Sequence, residues 1–300
     1  MAYVLVMSSE QTFHPARRLI VCADDYGLSP GVSLGIRELA ERGRITATGA
    51  MTCMPAWKVE APALTVLADR LGSRFEVGLH LTLTDQTPLG EMPVLAPQGK
   101  FPGIGSLLKA SLARMLPLAE IAEELDRQLD AFKKHFGRMP DFIDGHQHVH
   151  LLPGIRQVVL GLFHRRLDAG QCWLRDCGER LPTLLHRGSA VKATVISVLL
   201  AHDFAKAAAE RGITVNRGFS GFYDPSASSL RERMPALLHH AGDKALLMIH
   251  PGHVDATLEA VDTLTTPRQS EWDYLSSDAW PALLAERGIT LAPKGTPFSH

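Results

Sequence analysis

The chain has little cysteine, no surplus of either charge and no long apolar run, and each shortage closes off a class of function. Its four cysteines, Cys22, Cys53, Cys172 and Cys177, include no C-x-x-C pair. Buried thiols in a reducing compartment are the simplest reading. A formal net charge of −1 and a pI near 6.9 give no basic field for nucleic acid or a polybasic membrane surface. The N-terminal stretch has one short apolar run and no basic flank, which is too little for a signal sequence. The longest later apolar stretch, Ala190 to Ala201, is broken by Lys192 and falls far short of a membrane span. A cytoplasmic location with no membrane span is expected. Partners must therefore be sought in sites.

What is present is the composition of a globular enzyme-sized domain: 300 residues, 45% apolar and 21% charged. Apolar, β-rich runs alternate with helical patterns. "RLIVCADD" reads as a strand and "GVSLGIRELAERG" as a helix closed by Gly43. "ITATGAM", "FEVGLHLTLT", "DFIDGHQH", "CWLRDC", "ITVN", "ALLMIH" and "ITLAP" read as further strands. Between Leu118 and Phe136, residues Leu118, Ile121, Leu125, Leu129, Phe132 and Phe136 recur at three- and four-residue steps. That spacing predicts an amphipathic helix, ended by Gly137 and Pro140. The β-α alternation predicts a single α/β domain over 17–300, with a mostly parallel sheet closed like a barrel, preceded by an N-terminal arm over 1–16. An open doubly wound sheet is the alternative. The Pro- and Gly-rich stretch from Asp85 to Gly105 reads as a long loop after a strand.

In parallel α/β folds functional residues gather at the carboxyl ends of strands. The first strand here ends in Asp24-Asp25, the third carries His80, and "FIDGHQHVH" ends with His146, His148 and His150. "CWLRDC" carries Arg175, and "ALLMIHPGH" ends with His250 and His253. Acid and imidazole converging on one face form a metal-site inventory. Each has a bland reading. Asp-Asp-Tyr-Gly can be an Asx turn or helix cap, and His80 between two leucines can be a satisfied core histidine. The run His-Gln-His-Val-His is harder to dismiss. In an extended chain its three imidazoles share one face, which is costly to bury without a metal or acidic partners.

"LIVCADDYGLSPGV", "VGLHLTLT", "FIDGHQHVHLLPGI" and "LLMIHPG" together resemble, in order, the signature blocks of the YdjC-like carbohydrate deacetylases, which include chitooligosaccharide and hopanoid-associated deacetylases. The resemblance implies a barrel of the glycoside hydrolase/deacetylase type, often a homodimer, that removes acetyl groups from an N-acetylated sugar or oligosaccharide. It also implies one divalent metal ion, Zn²⁺ or Mg²⁺ foremost, with Mn²⁺, Co²⁺ or Ni²⁺ compatible. By position, Asp25, His80 and His146 would be its ligands, Asp24 the general base and His250 the general acid. Arg175 would orient the base or bind substrate, and His148 and His150 would lie behind the metal ligands. Amide hydrolysis needs these parts: a Lewis acid that lowers the pKa of water from about 15.7 towards about 7, a proton acceptor and a proton donor. For neighbouring carboxylates to share one site the chain must turn there, and Gly27 is the residue expected to permit it. Aromatic candidates for stacking on sugar are Tyr26, Trp57, Trp173, Phe222 and Tyr223. Two other readings stay open: another metal-dependent barrel hydrolase, such as an amidohydrolase or phosphoesterase, and a non-catalytic sugar-binding relative.

Overall fold

The first strand is built from an unbroken apolar run, Leu19 to Ala23, that is buried along its whole length. A strand buried on both faces belongs in the middle of a parallel sheet covered by helices, and that is its place in the computed structural model. The model describes residues 17–178, 191–221, 230–239 and 241–298, with backbone alone for 191–199. The arm expected over 1–16 lies outside the described residues.

Eight parallel strands run in the order β5-β4-β3-β2-β1-β7-β6, with β8 added beside the start of β1. Their bounds are β1 Arg17–Tyr26, β2 Ala47–Ala50, β3 Glu76–Leu81, β4 Phe142–Gly145, β5 Trp173–Leu174, β6 Phe219–Ser220, β7 Ala245–Ile249 and β8 Ile289–Leu291. The sheet curls into an arc wrapped by helices, so the single-domain, barrel-type α/β fold expected from the sequence is what forms. The segment after Ile213 draws the ends of the arc together. Val215 makes an isolated parallel bridge to Leu174, and Arg217 donates its N–H to Lys244 just before β7. "ITVN", expected as a strand, supplies only that bridge; the strand of this region is β6, three residues further on.

The helices follow their apolar stripes. Helix Leu118–Phe136 buries Ile121, Leu125, Leu129, Phe132 and Phe136 and ends at Gly137 in the left-handed conformation. Leu118, the first residue of the expected stripe, is 41% exposed. Helix Pro30–Glu41 starts on Ser29, whose side chain accepts the N–H of Val32, so β1 passes into its helix through a short capped turn. From Asp85 to Gly103 the chain forms no helix or strand, as its Pro and Gly content predicts. Among the described residues no helix is long and apolar enough to cross a membrane.

Candidate active site

Adjacent strand residues face opposite sides of a sheet, so Asp24 and Asp25 can serve one site only if β1 breaks its register. It does. Ala23 pairs with Thr48 and Tyr26 with Ala50, which places three steps of β1 against two of β2. The extra residue is a β-bulge, a device that re-aims side chains at sheet ends. Asp25 takes it up with φ 71°, in the left-handed region that short polar side chains tolerate. Gly27 follows at φ 90°, where a Cβ would lie 3.2 Å from the Met51 carbonyl oxygen. The turn expected at Gly27 therefore begins at Asp25 itself.

Both carboxylates are buried, and the bulge sends them to different partners. Asp25 Oδ1 lies 3.3 Å from His80 Nε2, at the end of β3, and 2.9 Å from His146 Nδ1, just past β4. One ligand atom from each of these residues falls within 4.8 Å of the others. His80 Nδ1 is 2.7 Å from Asp144 Oδ1. With that nitrogen donating to Asp144, Nε2 faces Asp25 and can give its electron pair to a cation in place of a proton. An oxygen and two imidazole nitrogens gathered this closely are the donor set of a divalent cation, and a carboxylate behind a ligating histidine is its usual support. The residues present therefore fit the implied ion. The Arg268 guanidinium holds the other oxygen, with Nη2 at 2.6 Å from Asp25 Oδ2. Burial raises the Asp25 carboxyl's pKa, but Arg268 and His146 outweigh it and keep the group well below the ordinary range.

Asp24 meets a different set of partners, a buried cluster with Cys22 and Asp144. Their ligand atoms are also close together, but a cation is already there. Arg175, fully buried, donates Nη1 to Asp24 Oδ2 and Nη2 to Asp24 Oδ1, each at 2.6 Å. The same Nη2 lies 2.6 Å from Asp144 Oδ2, as an ion-pair contact without hydrogen-bond alignment, and donates to Cys22 Sγ at 2.9 Å. Burial pushes the Asp24 carboxyl up, yet Arg175 and then His80 more than reverse it, leaving the group ionised far below neutrality. His80 is pushed down by burial and, against that, raised to about 10 by Asp144 and Asp24. Of the two roles expected for Arg175, the forked grip fits orientation of Asp24 and leaves no exposed surface for substrate.

His250 follows β7, half-buried, and its charge is one of those acting on Asp24. Its backbone N–H donates to Glu271 Oε2 at 2.6 Å. His253 points elsewhere, with Nε2 2.8 Å from Glu38 Oε2 and its ring against Trp272.

The remaining histidines correct the extended reading of "HQHVH". The strand stops at Gly145, and His146–Leu151 is a tight helical turn with Gln147 at φ 50° and His148 at φ 59°. The three imidazoles therefore diverge. His146 turns to Asp25, whereas His148 Nδ1 sits 3.4 Å from Cys177 Sγ and His150 Nε2 is 3.1 Å from the Arg175 carbonyl oxygen. Burial lowers both pKa values, that of His150 to about 3, so both rings are neutral.

The aromatic residues also sort themselves. Tyr26 is buried, with its hydroxyl bonded to the Glu60 carbonyl and to Arg37 and its ring edge-on to Trp57. Trp57 and Trp173 are likewise core residues, stacked on Phe132 and Phe142 respectively. These three pack the fold, the commoner fate of an aromatic residue taken singly, and their burial removes them as candidates for stacking on a sugar. Phe222 and Tyr223 lie outside the described residues. Asp144, Arg268 and Glu271 were not singled out from the sequence. Asp144 stands in plain view two residues before His146. Arg268 and Glu271 lie in a polar helix with no pattern to mark them.

The chain matches the profile of the YdjC-like protein family over residues 18–286. It is 32% identical over 281 residues to the chitooligosaccharide deacetylase of Citrobacter koseri, covering 92% of this chain and 97% of that one. It is 31% identical over 279 residues to the enzyme of the same name from Serratia marcescens, covering 91% and 96%. Among solved structures it resembles a crystal structure from Enterococcus faecalis described as a candidate cellobiose-phosphate cleavage protein. That likeness has a TM-score of 0.70 at 25% identity, over 92% of this chain and 97% of that one. Sequence, extent of match and fold agree: the chain belongs to the YdjC-like family.

Proposed function

We propose that the protein is a metal-dependent carbohydrate N-deacetylase that hydrolyses the acetamide of an N-acetylated sugar, with chitooligosaccharides the first class to test. The observation that carries this reading is the division of the acid pair at the bulge. Asp25 faces two imidazoles, while Asp24, one residue away, faces a guanidinium. The curated relatives' names supply the substrate class.

Asp25, His80 and His146 would hold the ion, which when bound supplies Lewis acidity to the amide carbonyl and eases the loss of a proton from water. Asp144 keeps His80 in the tautomer that offers Nε2. Asp24 accepts one proton from the attacking water. The Arg175 fork weakens it as a base but fixes both of its oxygens, so orientation is what this residue contributes. His250 gives one proton to the nitrogen as the C–N bond breaks, which leaves acetic acid and a free amine. The acid then ionises to acetate, and the proton taken up by Asp24 replaces the one that His250 gave. A cytoplasmic, reducing setting accords with the free cysteines, of which Cys22, Cys172 and Cys177 are buried. A homodimer is proposed with it, and sedimentation would test that state.

The test is acetate release from a panel of N-acetylated sugars, run after chelation and again with Zn²⁺, Mg²⁺, Mn²⁺, Co²⁺ or Ni²⁺ restored. Release that depends on an added ion supports the proposal, and none with any ion on any sugar refutes it. A second reading, cleavage of a phosphorylated sugar, follows from the description of the Enterococcus faecalis relative. Cleavage of cellobiose phosphate, with no acetate released from the N-acetylated panel, would favour it.

A further inference from the structure

The helix Thr266–Ser276 carries none of the strand-end residues, yet one turn of it reaches both halves of the site. Arg268 and Glu271 lie three residues apart, hence on one helical face, and both are 2% exposed. Arg268 donates Nη2 to Asp25 Oδ2 at 2.6 Å and to Asp262 Oδ2 at 2.7 Å, and Nε to the Leu264 carbonyl at 3.1 Å. Glu271 accepts the His250 N–H at 2.6 Å, and the Arg268 carbonyl accepts the Gly252 N–H at 3.1 Å. Between them stands Pro251, which has no N–H to give. Both available donors of the segment 250–252 are therefore committed to this single turn.

A carboxylate free to rotate about its last bond presents either oxygen to a neighbour. With Oδ2 held by a buried guanidinium that is itself braced on Asp262, Asp25 can offer only Oδ1 to His80 and His146. The segment carrying His250 is likewise pinned at the end of β7, by its two N–H groups donating to the Glu271 carboxylate and the Arg268 carbonyl. From this geometry we infer that Arg268 and Glu271 are positioning residues, Arg268 for the metal-ligand carboxylate of Asp25 and Glu271 for the backbone that carries His250. The part concerning the acid rests on the deacetylase reading. The part concerning Asp25 rests on the donor set alone.

Arg268→Lys keeps the charge and discards the planar fork, so it separates geometry from electrostatics. Calorimetric titration of the full chain with Zn²⁺ should show an affinity about tenfold or more weaker, in the range usual for residues that support metal ligands. Glu271→Ala should speed hydrogen exchange in the peptide containing His250 and lower kcat for acetate with KM and Zn²⁺ affinity unchanged. Glu271→Gln, whose amide oxygen can still accept the N–H, should restore both. Glu271→Asp, which keeps the charge but falls short of the N–H, should behave like Glu271→Ala and serves if the alanine variant does not fold. Zn²⁺ affinity and amide exchange are read without sugar, so they stand even if the wild type releases no acetate. Their failure, in turn, leaves wild-type acetate release untouched. An Arg268→Lys protein that binds Zn²⁺ as tightly as wild type, or a Glu271→Ala protein with unchanged exchange at His250, overturns the inference.

Discussion

At the scale of single residues, the site is organised by where each carboxylate of an adjacent pair is sent. Asp25 reaches His80 and His146 because its backbone is left-handed, and Asp24 stays in the sheet direction and meets Arg175. His80 is the hinge of the network, because Asp144 grips one ring nitrogen and Asp25 faces the other. His80→Ala should therefore abolish stoichiometric binding of a divalent ion, measured by elemental analysis after dialysis, and His146→Ala should weaken it. Unchanged metal content in both would remove them from the ligand set. The acids and histidines at strand ends could be found from sequence because the fold rule says where to look. Arg268 and Glu271 could not. Their helix has no strong apolar stripe, and their importance arises only from hydrogen bonds to Asp25 and to the segment after β7.

At the scale of elements, Gly78 of β3 leaves the space over which the Phe142 ring of β4 lies. A Cβ there would meet the Phe142 ring at 2.3 Å, and that ring is itself stacked on Trp173 at 4.6 Å. Neither ring can yield without disturbing the strands that present His80, Asp144 and Arg175. Gly78→Ala should cost about 1–3 kcal/mol of stability by overpacking, seen as a lower urea midpoint with an unchanged slope. A midpoint equal to wild type would show that the layer can relax. The long helices were legible because a stripe of six apolar residues has a clear period. The strands β5 and β6 have only two residues each, too few to show any period. The turn at His146–Leu151 was misread because alternation in "HQHVH" looks the same whether the chain is extended or coiled. Only the positive φ angles distinguish them.

At the scale of the whole molecule, the end of the barrel opposite the site holds another buried acid with a separate effect. Glu76 opens β3, accepts the Gly295 N–H at 2.7 Å and is raised to about 7, first by burial and further by Asp141. Its folded pKa lies above the ordinary value of 4.5, so its contribution is fully present below that pH and is lost as pH rises to about 7. At about 1.4 kcal/mol per pH unit, the loss is on the order of 3 kcal/mol at most. Glu76→Gln should therefore raise the melting temperature relative to wild type at pH 8 and not at pH 4.5. An equal effect at both values would assign the change to packing.

The central claim is that two neighbouring carboxylates divide the labour, one on the metal and one on the proton. Its most direct test is to measure Zn²⁺ stoichiometry and acetate release side by side in Asp24→Asn and Asp25→Asn. The predicted result is an Asp24→Asn protein that binds one equivalent of Zn²⁺ but loses acetate release by about a hundredfold or more, and an Asp25→Asn protein that fails to retain the ion. An Asp24→Asn protein with wild-type acetate release, or an Asp25→Asn protein with full Zn²⁺ content, would contradict it.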